Sequence, residues 1–297
     1  MAKPPIVRQE EPAQPVAIEG AIIPLTAITP GQTALVGGKG SSLGALIRAG
    51  LPVPPGFVIS TNYYRAFHHV GIPESAREAI LVATRELGNS RVAVRSSAIA
   101  EDSKNTSWAG QFDTVLNVTE ANVITAIEKC WASAQSQRVM DYAAQNNIPD
   151  DELSLAVVVQ AMVDSEISGV VFTQNPISGY PEEIMIEACF GLGELLVQGM
   201  VTPDNYLVHK RGLKVVARTH HEQKGMLAWA QGKTMALPVP NPSAPKLSDE
   251  QITDVARLAQ KIEDHYGHPQ DIEWALAIGK VYIVQSRPIT TLDTAAE

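Results

Sequence analysis

Asp271 and Glu273 stand two residues apart, and Gln285 and Arg287 repeat that spacing after Ile278-Gly279-Lys280. On a β-strand, residues two apart share a face. The stretches 272–278 and 281–284 are apolar enough to pair as strands about a tight turn. Such a hairpin sets two carboxylates, an amide and a guanidinium on one surface. Hard oxygen ligands beside a fixed cation suit a magnesium-bound polyphosphate. Taken alone, the same pattern equally suits a solvated hairpin with a salt bridge.

Three more segments carry chemistry of the same kind. Val36-Gly37-Gly38-Lys39-Gly40-Ser41-Ser42-Leu43-Gly44 reads as a glycine-rich loop opening a helix. Glycines allow close backbone approach, a helix N-terminus favours anions, and Lys39 adds a point charge. The spacing is neither that of a P-loop nor that of a dinucleotide fingerprint. Val94-Arg95-Ser96-Ser97 places an arginine at the end of an apolar strand, and the small polar run 101–111 after it suits a lid over phosphates or an ordinary exposed loop. Glu187 closes a further apolar strand before Gly191-Leu192-Gly193-Glu194, where it suits a ribose hydroxyl or the surroundings of a metal. None of the seven histidines lies in the glycine- and threonine-rich setting of a phosphoryl carrier. The pairs His68-His69 and His220-His221 read as surface pairs.

The elements that must position these groups follow from periodicity. Helices are expected over Lys39 to Leu51, from a Thr61 cap through Val70, over Ser75 to Leu87, and as one long helix from Glu120 to Asn146. Ser248-Asp249-Glu250-Gln251 has capping-box spacing and opens a helix to Tyr266. Strands are expected at 57–59, 92–95, 114–118, 155–159 and 183–189, with Gly169–Phe172 as neighbour of 155–159. Residues 206–208 and 214–218 suit a hairpin. Prolines 238, 240, 242 and 245 mark a semi-rigid connector. Mixed elements in this order make an α+β (mixed α/β) protein of two lobes.

Composition narrows the class. A net charge of −9 argues against a general nucleic-acid binder. Cys130 and Cys189 lie far apart without metal-ligand spacing and read as buried thiols of a reducing compartment. No apolar run is long enough to cross a bilayer and the N-terminus lacks a secretory pattern, so a cytoplasmic protein without membrane partners is expected.

Taken in order, Val36–Gly44, Pro52–Phe57, Val94–Ser97, Glu101-Asp102, Trp108–Gln111, Val159–Val163, Ser168–Thr173, Gly191–Glu194, Pro203-Asp204, Asp271–Trp274 and Gln285–Thr290 resemble the ATP-binding domain of the phosphoenolpyruvate synthase and pyruvate phosphate dikinase family. The resemblance implies an ATP-grasp-like fold with ATP between two lobes, 21–160 and 161–297, after a flexible arm at 1–20. It implies that Lys39 and Arg95 hold phosphates, and that Thr106, Ser107, Gly110 and Gln111 cover them. Gln160, Met162 and Val163 would form a hinge whose backbone reads adenine, and Glu187 would face the nucleotide. Glu273 and Gln285, with Asp271 beside them, would bind Mg2+, while Arg287 would stabilise the transferring group.

Relatives of full length add a swivelling domain with a phosphorylated histidine and a separate acceptor domain, neither of which is in this sequence. The expectation is therefore a dikinase-type phosphotransferase subunit that turns ATP into AMP and phosphate and passes a phosphoryl group to a histidine-carrying partner. Two other readings stay open: an ATP-sensing or scaffold module without turnover, and an ATP-grasp carboxylate ligase that forms ADP.

Overall fold

A computed structural model describes residues 20–99, 113–145 and 154–289. The first sheet runs β1 (Ile22–Pro24), β2 (Gly56–Ile59), β5 (Leu155–Ala161), β3 (Val92–Ala98), β4 (Thr114–Val118), with every pairing antiparallel. Period-2 alternation explains why β5, at the centre of the sheet, is apolar on both faces from Leu155 to Val159. Leu155, Val157 and Val159 enter one core, whereas Ala156 and Val158 enter another on the opposite face. Helices α2 (Thr61–Phe67), α3 (Glu74–Glu86) and α4 (Val123–Ser133) cover the first face; α1 (Thr33–Arg48) covers the second.

The second sheet runs β13 (Lys280–Pro288), β12 (Gln270–Ala277), β6 (Ile167–Phe172), β7 (Glu183–Phe190), β8 (Asp204–His209), β9 (Lys214–Thr219), also antiparallel throughout. A one-turn helix, α6 (Glu194–Val197), follows β7. One face of the sheet, with Val171, Ile186, Ile272 and Trp274, packs on α7 (Asp249–Tyr266) through Ile252, Val255, Ala259 and Ile262. Gly169 of β6 lies on that face. A Cβ there would stand 1.8 Å from the Glu187 carbonyl oxygen and 2.7 Å from the Trp274 ring, so only glycine fits between them. The helix begins with the capping box expected at Ser248, whose hydroxyl accepts the Gln251 N–H while the Gln251 side chain accepts the Ser248 N–H. No helix among the described residues is long and apolar enough to cross a membrane.

The α+β class is as expected, and so are the 206–208/214–218 hairpin, now β8–β9, and the hairpin of the opening motif, β12–β13. Several expectations need correcting. The helix over 120–146 breaks: α4 ends at Ser133 and α5 (Gln137–Gln145) follows a turn. Ser133 Oγ donates to the Cys130 carbonyl, and Ser136 Oγ accepts from the Val139 N–H, so hydroxyls compete with the helical ladder on both sides of that turn. β6 pairs with β7 and β12, not with β5, whose neighbours are β2 and β3. Thr61 is the first residue of α2 rather than its cap; its Oγ1 donates to the Ala34 carbonyl, and the helix stops at Phe67. Helix α1 starts six residues before Lys39, at Thr33, and is interrupted at Gly37. Arg95 sits within β3 rather than at its end.

A third, two-stranded element escaped the sequence reading: β10 (Gly225–Ala230) with β11 (Lys233–Pro238), joined by Gln231-Gly232. It reaches back to the first sheet, where Asn117 Nδ2 donates to Thr234 Oγ1 at 2.7 Å and the Arg91 guanidinium lies 4.5 Å from the centre of the Trp229 ring. Nor are His220 and His221 a bare surface pair. His220 Nδ1 lies 2.8 Å from Asp204 Oδ2, and the His221 N–H donates to Asp204 Oδ1. Lys246 Nζ, wholly buried, donates to the same Asp204 Oδ1 at 2.8 Å, which fastens the proline-rich connector to β8. Cys130 and Cys189 are buried, and burial pushes both thiols up to about 11, as structural thiols require.

Candidate functional site

The two sheets meet around a cavity of about 530 Å3. Its first-sheet wall holds Ala93 and Arg95 of β3, Thr114 and Leu116 of β4, and Lys39 of α1. The register of the second sheet aligns Gln285, Glu273, Val170, Glu187 and Asn205 in one row, and Arg287, Asp271, Phe172, Met185 and Leu207 in the next. Directly opposed residues share a face, and this is the face without α7. Glu273, Gln285, Arg287 and Val170 line the cavity. The four residues of the opening motif are thus brought together as cross-strand pairs, Asp271 opposite Arg287 and Glu273 opposite Gln285. A bulge follows at Glu273/Trp274; bulges bend a strand and re-aim its side chains.

Arg95 closes the gap between the sheets. Its Nη2 donates to Glu273 Oε2 and to Gln285 Oε1, each at 2.8 Å, and its Nη1 donates to the Val284 carbonyl. Two hard oxygens therefore converge on one positively charged nitrogen. Arg287 reaches Asp271 through Nε at 2.8 Å and Nη2 at 2.7 Å. Burial, then Glu273, push the Asp271 carboxyl up, and Arg287 opposes them. Burial, then Asp271, also raise Glu187. Neither Asp271 nor Glu187 is part of the cavity lining itself.

Lys39 owes its place to a turn. At Gly37 the backbone takes φ 71° and ψ 176°, which only glycine adopts freely. The turn is pressed against β3, since a Cβ at Gly37 would lie 2.1 Å from the Ser97 carbonyl oxygen. Ser97 Oγ donates to the Val36 carbonyl and accepts from the Gly40 N–H. Ser96 Oγ donates to the carbonyl of Asp113, another lining residue. Both serines were in view in the sequence, beside Arg95; the signal missed was a hydroxyl on each face of one strand.

Gln160, Met162 and Val163 line the end of the cavity where β5 leaves the first sheet. Gln160 Nε2 is committed to the Pro54 carbonyl. The Met162 N–H donates to Arg91, and its carbonyl accepts from Asn89 Nδ2. Opposite Ala161, whose N–H donates to the Pro55 carbonyl, stands a proline with no N–H to give back. The expected cover residues Thr106, Ser107, Gly110 and Gln111 lie outside the described residues. Among the described residues no group of three or more His, Cys, Asp or Glu gathers. Any metal here would rest on two carboxylates and an amide, in keeping with a magnesium ion that retains waters and phosphate oxygens.

An α+β chain whose two sheets close on a cleft, with Lys39 and Arg95 on one wall and Glu273, Gln285 and Arg287 on the other, is the class these observations define. Residues 33–72 and 66–297 match the family described as pyruvate phosphate dikinase, AMP/ATP-binding domain, and the chain belongs to that family. It is 42% identical over 302 residues to a probable phosphoenolpyruvate synthase of Archaeoglobus fulgidus, covering 87% of this chain and 40% of that protein. The phosphoenolpyruvate synthase of Pyrococcus furiosus is 36% identical, over 88% of this chain and 43% of its own. A rifampicin phosphotransferase of Streptomyces sviceus is 38% identical, over 92% and 36%. The chain thus spans less than half the length of these relatives. Among solved structures it is similar to D-alanine–D-alanine ligase from Helicobacter pylori, at 13% identity and a TM-score of 0.38, covering 83% of this chain and 52% of that one.

Proposed function

We propose that the cleft binds ATP with magnesium and that the chain is the nucleotide half of a dikinase-type phosphotransferase, ATP-grasp-like, with lobes at 21–160 and 161–297. The observation that carries the reading is the convergence of Glu273 and Gln285 oxygens on Arg95 Nη2 across the cleft. Phosphoryl transfer asks a protein for positioning and charge stabilisation above all, and here cations and oxygen donors meet directly at the wall of one cavity.

In this reading Lys39 and Arg95 hold the phosphates from the first sheet. Glu273 and Gln285, with Asp271 beside them, are the residues that would hold magnesium, and their oxygens already surround a positive charge. Bound there, the ion would neutralise charge on the phosphate oxygens. Arg287 supports the transferring group. With the Met162 main chain and the Gln160 side chain engaged elsewhere, the Ala161 carbonyl and the Val163 N–H would read adenine. Glu187 faces the nucleotide from β7, in the same row as Glu273. The phosphoryl group passes to a histidine supplied by another domain or subunit.

The test is product analysis by chromatography after incubating the chain with ATP, Mg2+ and a histidine-carrying domain of a relative. AMP and phosphate support the reading. ADP points to a carboxylate ligase, and intact ATP to a sensing module.

A further inference from the structure

The buried hydroxyl of Ser97 has no part in the nucleotide contacts proposed above. Ser97 is fully buried and stands two residues after Arg95 on β3, so both side chains leave the same face of the strand. Its Oγ acts in two directions, donating to the Val36 carbonyl at 2.9 Å and accepting from the Gly40 N–H at 3.1 Å. A hydroxyl can do both at once. Those partners flank the break at Gly37, and Lys39 lies between them, buried against the cavity. The Arg95 guanidinium is fixed in turn by Val284, Glu273 and Gln285. One hydroxyl therefore registers the lysine-bearing turn against the arginine-bearing strand.

We propose that Ser97 is a positioning residue: through Val36 and Gly40 it sets where Lys39 stands relative to Arg95, and so how tightly a triphosphate tail is held. This rests on the nucleotide reading above. Gly40, whose N–H is engaged by Ser97, serves the turn and not the phosphates.

The test compares the Kd of ATP and of AMP, each with Mg2+, by calorimetry on the full chain well below its melting temperature. In Ser97→Ala, ATP affinity is expected to fall about tenfold, the loss of one buried hydrogen-bonding group, while AMP affinity holds. Equal losses for both nucleotides, or no loss, overturn the proposal. If Ser97→Ala does not fold, Ser97→Cys, a weaker donor and acceptor, replaces it with an expected ATP-selective loss of about threefold, and no selective loss overturns the proposal. Lys39→Ala separates the two levels. A selective ATP loss there without one at Ser97 sinks only the Ser97 inference, whereas no selective loss at Lys39 sinks the nucleotide reading itself.

Discussion

Arg95 Nη2 and Glu273 Oε2 meet at 2.8 Å although the residues are 178 positions apart, one on each sheet. The pair marks the spot where the two halves of the chain confront each other, and it brings the charge of a carboxylate to the place where a metal would need it.

Glu273→Gln keeps a hydrogen-bond acceptor for Arg95 and removes the charge. Arg95 also donates to Gln285 and to the Val284 carbonyl, so with an amide oxygen at position 273 its guanidinium stays satisfied, and the melting temperature stays close to that of the parent. Magnesium-dependent ATP affinity, by contrast, is expected to fall at least about tenfold, since one of two hard anionic donors is gone. Titration of ATP with and without Mg2+ checks this. An undiminished magnesium effect would remove Glu273 from the metal site.

Glu187 carries a pH signature. Burial and Asp271 raise its carboxyl, so the folded state holds that proton more firmly than the unfolded chain. The resulting stability is complete below the unfolded value and is lost as pH rises through the folded one, above which the ionised carboxylate is a cost. Glu187→Gln is therefore expected to raise the melting temperature at pH 7, with the gain fading below about pH 4. A gain that grows on acidification would contradict the assignment. Bound magnesium would favour the ionised form, so at acidic pH, where the free chain holds this proton, binding of MgATP should release it, measurable by calorimetry in buffers of different ionisation enthalpy.

Asp204 behaves in the opposite sense. Burial alone would raise it, but bonds from Lys246 Nζ, the His221 N–H, His220 and the Lys246 N–H outweigh burial and hold it at about 2. Its contribution is present above the unfolded value of about 3.9 and drains away as pH falls toward the folded one. Asp204→Ala strands Lys246, whose side chain is wholly buried, at an expected cost of about 3–5 kcal/mol. Urea unfolding at pH 7 reads this as a lower midpoint, and a shift under about 1 kcal/mol would refute it.

Ile278 sits at the tip of the β12–β13 hairpin with φ 51° and a 94% exposed side chain. A β-branched residue is strained there, and Asn followed by Gly279 suits the turn far better. Ile278→Asn is expected to add about 1 kcal/mol, seen as a higher melting temperature, with ATP affinity unchanged. A drop in stability would mean that the exposed isoleucine makes contacts worth more than the strain.

The β12–β13 hairpin was legible from sequence because period 2 and a tight turn together fix its register; the expected facing of Asp271 with Glu273, and of both with Gln285 and Arg287, is the facing found. The Ser248 capping box was legible for a similar reason, since both of its bonds are local. What stayed hidden was non-local. Nothing near Gly169 says that β7 and β12 flank it rather than β5, and nothing near Arg95 names its partners on β13. The β10–β11 hairpin escaped because Trp229 and Thr234 find their partners on the other sheet, so its own alternation is weak. The break after Ser133 came from serines, which carry no such warning as proline or glycine.

The clamp of Arg91 on Trp229 has a practical side. Trp131 and Trp274 are sealed in the two cores, whereas Trp229 is half-buried where the β10–β11 hairpin touches the first sheet. A guanidinium 4.5 Å from the ring centre makes indole emission sensitive to its distance. Any hinging of one half against the other would therefore register as a change in intrinsic fluorescence, a built-in optical gauge that needs no label.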